Sequence, residues 1–499
     1  MVAQLKLRLR RIGIDTHREC IAFLDDNGMT SRALGLHPMD RIMVSANGRS
    51  VLAVLNIVEG TIVPHGTIGL SNTAFARLGA GDDTLVDVRP ADPPASMDML
   101  RVKMAGRELS SADYGYIVDD IVQGRFSKIE LTAFVVSAMI FGLTDDEVIG
   151  FTNAMIETGD QLRFDSKVVA DKHCIGGVPG NRTTPIVTSI AAAAGLVIPK
   201  TSSRSVTSPA GTADTMEVLM DVELPAARIY EVVREENGCL VWGGALNLAP
   251  ADDMIIQVEH PLGIDAESLM ISSILAKKKA AGSTHVLLDI PCGLGTKAET
   301  PQMAERLKKR FEELGARLGL NIRCLLTDGS QPIGNGIGPA LEAQDVIKVL
   351  CGDSDAPHDL REKSLILAGE LLELTGQNHG DGYAIAERIL SNGQAYEKFE
   401  RIRNLQGRRE SPPLGEHTQD ILAEKHGKVS AINNRIIARV GQLAGAPHNS
   451  GAGVYLAKHV NDTVDSHQLL FRLYAESDEA LAFATRYWEE KGDVGITIS

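Results

Sequence analysis

The chain has 499 residues, 44% of them hydrophobic and 23% charged, a composition typical of a globular protein with about three domains. Its formal net charge of −15 argues against a nucleic-acid polymer as a partner, because proteins that hold such polymers generally present a basic stripe. The sequence shows neither a signal peptide nor an apolar run long enough to span a bilayer, so we expect a cytoplasmic protein with no membrane partner.

Residues 1–90 are predicted to form an N-terminal β-rich domain. Alternating apolar and polar residues, separated by glycine-rich turns, indicate strands at 5–14, 41–46, 52–58 and 84–88. The segment 91–96 contains two prolines and indicates a linker. The apolar period then becomes helical, which predicts helices at 109–122, 128–141 and 145–157. Ser127 or Lys128 and Thr144 occupy the expected N-cap positions of the last two helices.

Apolar strands alternate with helices in the middle of the chain. Examples are strands at 286–290 and 322–327, with helices at 301–315 and 340–349. This order predicts an α/β domain. After about residue 407 the helical pattern thins, and we predict strands at 429–440 and 469–475 followed by a helix at 478–490. The fold class is therefore multidomain α/β, with a small C-terminal α+β domain at 426–499.

The segment 171–216 carries two loops suited to binding an anion. The first loop places Lys172 before Gly176, Gly177 and Gly180, and glycines let backbone N–H groups approach a phosphate closely. The second loop combines Lys200 and Arg204 with a series of hydroxyl side chains: Thr201, Ser202, Ser203, Ser205, Thr207, Ser208, Thr212 and Thr215. Hydroxyls donate neutral hydrogen bonds while the cations neutralise the anion. The pattern predicts a phosphate-handling site.

Other interpretations of these loops are weaker or less specific. Each segment alone could be a solvated Ser/Thr-rich loop or a simple glycine turn. A P-loop fits poorly because Asn181 separates Gly180 from Arg182, and no complete dinucleotide-binding glycine motif is present. The six cysteines have no metal-ligand spacing, so we expect reduced thiols, no metal site and no nucleophilic role for Cys174.

Four motifs in this order closely resemble the thymidine/AMP phosphorylase family. They are DKHCIGGVPGNRTT, KTSSRSVTSPAGTADTMEVL, SSILAKKKAAGSTHVLLDIP and DGSQPIGNGIGPALEA. The resemblance runs from about residue 96 to the C-terminus, and the β-rich extension resembles the extra domain of the AMP phosphorylase branch. It implies a discontinuous helical domain at 96–165, continued by about 250–282, that faces an α/β domain at 166–249 and 283–425 across a cleft. It also implies a homo-oligomer, at least a dimer.

The resemblance implies that a nucleoside or nucleotide is cleaved at its N-glycosidic bond by inorganic phosphate, with no cofactor. Phosphorolysis needs an anion held beside C1′ and a general acid near the departing base. The matching acid is Asp265, although Asp265 could instead cap the helix that follows it. The implied substrate or phosphate contacts are Lys172, Gly177, Ser203, Arg204, Ser205, Val206, Thr207, Ser208, Thr212, Ser273, Lys277 and Lys297. Lys278 and Lys279 are interpreted as a solvated helix face.

The substrate is predicted from one departure from the family pattern. Thymidine phosphorylases carry an arginine fifteen residues before the serine that matches Ser273, and this chain has Val258 there. Without an arginine to bind a pyrimidine carbonyl, we expect an AMP-like nucleoside 5′-monophosphate, with ribose 1,5-bisphosphate as product. Thymidine stays the alternative substrate. A magnesium-dependent phosphoribosyltransferase and a non-catalytic nucleotide-binding regulator are further alternatives.

Overall fold

A computed structural model describes residues 5–16, 19–26, 35–205, 208–376 and 380–499. Two predicted substrate contacts, Val206 and Thr207, lie outside the described residues. Contacts between residues divide the chain into two compact units, Met1–Gly142 and Leu143–Ser499. Every described residue predicted to contact substrate lies in the second unit. Among the described residues, no helix combines the length and the apolar character needed to cross a membrane.

The first unit begins with a closed β-barrel. Its elements are β1 (Leu5–Arg11), β2 (Ile21–Asp25), β3 (Arg41–Ala46), β4 (Arg49–Val58), β5 (Thr67–Leu70), α1 (Asn72–Leu78) and β6 (Leu85–Pro90). The strand order is β1-β5-β2-β4-β3-β6, in which the pairs β1–β5 and β2–β4 are parallel. Alternate side chains fill the barrel, with Leu9, Leu24 and Ile42 fully buried. The predicted strand at 5–14 ends at Arg11, and strands β2 and β5 were not predicted.

Three helices complete the first unit: α2 (Met97–Met104), α3 (Ser111–Val122) and α4 (Lys128–Phe141). Ser110 caps α3 and Ser127 caps α4, each in a capping box in which an acidic residue three positions later bonds back to the cap. The prediction of Ser127 as an N-cap is therefore confirmed.

The second unit alternates strands and helices, which confirms the predicted mixed α/β class. Its elements up to residue 246 are α5 (Asp145–Glu157), β7 (Ala170–Cys174), α6 (Thr183–Ala193), β8 (Ile198–Ser202), α7 (Thr212–Glu217), α8 (Ala226–Glu236), β9 (Gly238–Trp242) and a 3₁₀ turn (Gly243–Leu246). The next elements are α9 (Pro250–Leu262), α10 (Glu267–Ala280), β10 (His285–Cys292), α11 (Pro301–Arg317), β11 (Asn321–Asp328), β12 (Gly336–Ile337), α12 (Pro339–Cys351), α13 (His358–Leu374), α14 (Gly382–Ser391) and α15 (Gln394–Leu405).

Parallel strands position the two predicted loops. The order β11-β10-β7 forms one sheet, and β8 pairs in parallel with β9. The first loop, which contains Gly176, Gly177 and Gly180 and is called the glycine loop below, follows β7. The second loop, which carries the series of hydroxyl side chains and is called the hydroxyl loop, follows β8. Both loops therefore begin at the carboxyl ends of strands, where ligands bind in α/β proteins. Helix α10 packs against α5.

The C-terminal part of the second unit contains the strands β13 (His417–Leu422), β14 (Gly427–Ile432), β15 (Gly453–Leu456), β16 (Thr463–Val464), β17 (Leu469–Ala475) and β18 (Ile496–Ile498), with the helices α16 (Asn434–Leu443) and α17 (Asp478–Gly495). The predicted strand at 429–440 is wrong beyond Ile432. The side chain of Asn433 accepts hydrogen bonds from two backbone N–H groups and starts α16, whose buried Ile436, Ile437 and Val440 follow a helical period. The strand at 469–475 is confirmed.

Candidate active site

A buried ammonium group lies at the start of the glycine loop. Lys172 is fully buried, and its Nζ donates to Thr183 Oγ1 at 2.7 Å and to Thr184 Oγ1 at 3.3 Å. Both threonines begin α6. Burial lowers the pKa of Lys172, while the Asp289 carboxylate, 3.9 Å from Nζ, opposes that shift. The hydrogen-bond partners of this predicted anion ligand are therefore neutral hydroxyls.

The Asp289 carboxylate is shared between two lysines. Lys363 on α13 places its Nζ 3.2 Å from Asp289 Oδ2, and Asn181 and Thr327 donate hydrogen bonds to the same carboxylate. Burial would raise the pKa of Asp289, but Lys363 and Lys172 hold it below its ordinary value. Two ammonium groups thus face one carboxylate beside the glycine loop, and the local charge is positive. Neither Lys363 nor Asp289 is among the site residues predicted from the sequence.

The glycine loop lies against the loop that carries Lys297. Gly177 has a φ of 94°, and a Cβ there would be 2.6 Å from Thr296 Cα and 3.0 Å from the backbone nitrogen of Lys297. Gly180 has a φ of 71°, and a Cβ there would be 2.1 Å from the Ile333 carbonyl oxygen. Only glycine allows these approaches. Two predicted contacts, Gly177 and Lys297, are therefore brought together by backbone packing.

One carboxylate connects two separate backbone positions of the hydroxyl loop. Asp214 Oδ2 accepts hydrogen bonds from the backbone N–H groups of Ser205, at 2.7 Å, and Gly211, at 2.8 Å. Ser205 and Ser208 donate to carbonyl oxygens within the same loop, and the Ser203 carbonyl accepts from Ala213 N at 3.2 Å. The predicted hydroxyl ligands therefore surround a turn that ends at the first residue of α7.

Arg182 joins the two loops. It follows the glycine loop, and its guanidinium donates to Thr212 Oγ1 at 2.9 Å and to the Ala210 carbonyl at 3.0 Å. The buried Glu342 accepts its Nε–H at 2.5 Å and also accepts from Thr215 Oγ1 at 3.1 Å. The two loops predicted to share one anion site are thus connected through the guanidinium of Arg182.

Arg204 is engaged by carboxylates rather than open to an anion. Its guanidinium pairs with Glu217, Glu223 and Asp214, and it lies 4.7 Å from the centre of the Trp242 ring. The hydrogen bond to Glu217 is the largest cause that raises the pKa of Arg204. Although Arg204 was predicted to bind substrate or phosphate, this geometry favours a role in positioning the hydroxyl loop.

A second polar cluster joins α9 and α10. Ser273 Oγ donates to Asp252 Oδ2 at 2.8 Å, and Lys277 Nζ lies 2.6 Å from Asp252 Oδ2 and 3.4 Å from Asp253 Oδ1. Burial would lower the pKa of Lys277, but Asp252 and Asp253 raise it. Ser273 and Lys277 are four residues apart and share one face of α10. The structure brings these two predicted ligands together.

Asp265 forms an ion pair with Lys297. It lies in the turn between α9 and α10, and its side chain is 46% exposed. The N-cap of α10 is Ala266, without a side-chain cap bond, so Asp265 does not have the capping role that the sequence allowed. The predicted acid and the predicted ligand Lys297 are neighbours, and Lys297 is also next to the glycine loop.

The prediction that Lys278 is solvated is wrong. Its Nζ is buried and lies 2.7 Å from Asp171 Oδ2, while Lys200 Nζ lies 3.2 Å from Asp171 Oδ1. One residue after Lys277, the helix has turned by about 100°, which directs Lys278 toward the sheet. Burial lowers the pKa of Lys200 to about 7.

Burial also raises the pKa of Cys174 to about 11, which disfavours a thiolate nucleophile.

Two domains of one known family match most of this chain. The glycosyl transferase family's helical bundle domain matches residues 97–159, and its a/b domain matches residues 166–396. A relative from Methylococcus capsulatus, named "Putative thymidine phosphorylase", is 48% identical over 494 residues, covering 98% of this chain and 96% of the relative. A relative of the same name from Legionella pneumophila (strain Paris) is 44% identical over 491 residues, covering 98% and 95%.

A solved structure supports the fold. Anthranilate phosphoribosyltransferase from Thermus thermophilus is similar with a TM-score of 0.52 and 20% identity, covering 62% of this chain and 99% of that one. At this identity the likeness concerns the fold alone. Together with the long, nearly full-length relatives, the matches identify the class of enzyme. The chain belongs to the thymidine phosphorylase-like family of glycosyl transferases, whose members are pentosyltransferases of the nucleoside phosphorylase type.

Proposed function

We propose that this enzyme cleaves the N-glycosidic bond of a nucleoside 5′-monophosphate with inorganic phosphate, releasing the free base and a sugar 1-phosphate. The observation that carries the reaction is the buried ammonium group of Lys172. It has neutral threonine partners, and it shares the single carboxylate of Asp289 with Lys363. A phosphate anion at the glycine loop would balance this local positive charge.

Each of the two polar clusters would bind a different reactant group. Lys172, Thr212 and the hydroxyls of the second loop would hold the phosphate beside C1′ of the sugar, so that the anion attacks as the bond to the base breaks. Ser273 and Lys277 would contact the base. The proton for the departing base would come from Asp265, which the resemblance implies as the general acid and which lies in the turn between α9 and α10.

Val258 supports a 5′-monophosphate of the AMP type as substrate. It occupies the position at which thymidine phosphorylases have an arginine, and it is buried on α9 with 5% of its surface exposed. An apolar side chain at this place donates no hydrogen bond to a pyrimidine carbonyl. With AMP as substrate the sugar product would be ribose 1,5-bisphosphate.

Thymidine is the second candidate substrate, and the relatives support it. The chains from Methylococcus capsulatus and Legionella pneumophila are named "Putative thymidine phosphorylase" and align over nearly the whole of this chain. With thymidine the products would be thymine and 2-deoxyribose 1-phosphate. The two candidates differ in whether the enzyme requires a phosphate at the 5′ position of the sugar.

Base release measured by chromatography tests both candidates. The panel contains AMP, CMP, UMP, adenosine, uridine and thymidine, each with and without inorganic phosphate. Phosphate-dependent release from the monophosphates alone is the expected result. Release from thymidine without any need for a 5′-phosphate would favour the second candidate. Release without phosphate would indicate a hydrolase, and a requirement for magnesium and diphosphate would indicate a phosphoribosyltransferase.

We also propose a cytoplasmic homo-oligomer with at least two copies. Exposed apolar side chains on α3 and α4 support self-association: Tyr116 is 56% exposed, Ile129 67% and Ile140 62%. Sedimentation of the full chain measures its mass in solution. A monomer at micromolar concentration would contradict this part of the proposal.

A further inference from the structure

Each nitrogen of the Arg182 guanidinium donates to an acceptor within the protein. Nε donates to the Glu342 carboxylate, Nη1 to Thr212 Oγ1 and Nη2 to the Ala210 carbonyl oxygen. The Arg182 side chain is 9% exposed. An arginine beside a phosphate-binding loop commonly binds the anion through its planar fork of donors. Here that fork is directed at the protein, so Arg182 acts on the residues around the anion site.

Glu342 holds this guanidinium in one orientation. It lies in the first turn of α12, and its side chain is 1% exposed. Its Oε2 accepts from Arg182 Nε at 2.5 Å and from Thr215 Oγ1 at 3.1 Å, while its Oε1 accepts the N–H of Gly338 at 3.3 Å. The carboxylate is thus fixed from the backbone that precedes its own helix. It also balances the charge of Arg182, which leaves the guanidinium less attraction for a further anion.

The contact with Arg182 decides in which direction the Thr212 hydroxyl donates. A guanidinium has only donors, so Thr212 Oγ1 is the acceptor in the bond of 2.9 Å. The hydrogen of the Thr212 hydroxyl must therefore point to another partner. Within the described ranges of the chain, no residue accepts it. The oxygens of a phosphate accept hydrogen bonds, so a hydroxyl in this state suits that ligand.

Neighbouring hydroxyls of the same loop donate to the protein instead. Ser205 and Ser208 donate to backbone carbonyl oxygens of the loop, and Thr215 Oγ1 donates to the Gly211 carbonyl oxygen at 3.0 Å. Their hydrogens are therefore already engaged. Of these four hydroxyls, Thr212 is the one that accepts from a cation and keeps its own hydrogen for a ligand.

We propose that Arg182 is a positioning residue of the phosphate site: held by Glu342, it directs the Thr212 hydroxyl to donate to the phosphate and does not itself bind the anion. This inference rests on the proposed phosphorolysis, in which Thr212 contacts the phosphate. It predicts that the effect of Arg182 on phosphate passes through one hydroxyl group.

A double-mutant cycle tests that dependence. We expect Arg182→Met and Thr212→Val each to lower kcat/KM for phosphate by roughly 10- to 100-fold, because each removes the oriented donor. The double variant should lie within about 2-fold of Thr212→Val, since residues that act through one bond have non-additive effects. The KM for the nucleoside or nucleotide should stay unchanged. Losses that multiply in the double variant would overturn the proposal and indicate direct binding by Arg182 or a general structural role.

The control removes a guanidinium that is also bound to a carboxylate but is open to solvent. Arg472 on β17 donates to both oxygens of Asp420, and the two side chains are 41% and 42% exposed. Arg472→Met should leave kcat/KM for phosphate within about 2-fold of the wild type. A loss equal to that of Arg182→Met would overturn the assignment, because it would show that the response to phosphate is not specific to this guanidinium.

Two conservative variants keep the test decisive if Arg182→Met, which leaves the buried Glu342 without its cation, does not fold. Arg182→Lys keeps the charge but lacks the planar fork, and we expect a loss of roughly 5- to 50-fold in kcat/KM for phosphate, with no further loss beside Thr212→Val. Thr212→Ser keeps a hydroxyl and should stay within about 3-fold of the wild type. Full activity of Arg182→Lys would overturn the orienting role, because charge alone would then suffice.

A titration without nucleoside separates this inference from the proposed function. Inorganic phosphate is added to the full-length wild type, the single variants and the double variant, and binding is followed by phosphorus-31 NMR. We expect the same non-additive losses in phosphate affinity. Additive losses would overturn the role of Arg182 even if base release depends on phosphate. If the wild type binds phosphate with this non-additive pattern but releases no base from any substrate, the proposed function fails and the positioning role stands.

Discussion

Lys172 and Asp289 lie on neighbouring parallel strands with Nζ and Oδ2 3.9 Å apart, and neither side chain is exposed. Lys363 approaches the same carboxylate from α13 at 3.2 Å. A carboxylate with two ammonium neighbours can balance only one of them. The glycine loop that follows β7 is therefore next to an excess of positive charge that is kept out of water, where it acts on an anion most strongly.

The first prediction concerns the ammonium group of Lys172. We expect Lys172→Met to lower kcat/KM for phosphate by roughly 100- to 1,000-fold, because it removes a preorganised cation from the anion site. The measurement is the rate of base release at varied phosphate concentration. Lys309→Met is a matched control, since the Lys309 side chain is 75% exposed on α11. An unchanged response to phosphate would remove Lys172 from the site.

The second prediction concerns the approach of the glycine loop to the Lys297 loop. Gly177→Ala would place a Cβ 2.6 Å from Thr296 Cα at a φ of 94°. The backbone of one loop must then move, at a cost of about 1–3 kcal/mol in the free energy of unfolding. We expect lower activity and a lower melting temperature. Gly176→Ala is the control, because it also has a positive φ but no atom within 4 Å of the added Cβ. Equal effects of the two changes would show that the loop contact is unimportant.

The site residues that could be predicted stand in short segments whose residue types are themselves typical of a phosphate site. Glycines beside Lys172 and hydroxyls around Thr212 indicated a phosphate site, and the structure joins their loops through Arg182. Asp289 and Lys363 gave no such signal. Asp289 lies within the apolar strand β10, and Lys363 lies on a helix far along the chain, so only the folded topology brings their charges to Lys172.

The fold was predicted best where the apolar period is long. Strand β17 and the start of α17 were predicted, whereas residues 429–440 were assigned to one strand although Asn433 begins a helix there. Apolar residues at 436, 437 and 440 fit a helical period, and Asn433, between β14 and these residues, is the N-cap signal that the strand prediction overlooked. Lys278 was misassigned for a related reason. A run of three lysines indicates a solvated face, but the side chains of consecutive residues in a helix point about 100° apart.

The third prediction tests the buried pair of Lys278 and Asp171. Lys278→Met removes one of two ammonium groups from a fully buried carboxylate and leaves Asp171 with Lys200 alone. We expect the free energy of unfolding to fall by about 1–3 kcal/mol, less than for an isolated buried pair because Lys200 remains. Lys279→Met, the next residue on α10, should change it by less than about 0.5 kcal/mol. Urea unfolding of both variants measures the difference, and equal values would show that the ion pair adds nothing.

The last prediction is the pH dependence of stability at Glu259. Its pKa is about 7 in the folded protein, above the ordinary value of 4.5, so the folded chain binds more protons than the unfolded chain between these values. Stability associated with protonated Glu259 is therefore complete below about pH 4.5 and is lost as pH rises through about 7. Glutamine cannot ionise and avoids this loss.

We therefore expect Glu259→Gln to be more stable than the wild type at about pH 8 by on the order of 1–2 kcal/mol, after allowing for partial solvent screening. At about pH 4.5 the two should differ by less than about 0.5 kcal/mol. Urea unfolding at both pH values measures this, with Glu305→Gln as the exposed control. A difference that does not change with pH would mean that Glu259 ionises as it does in water.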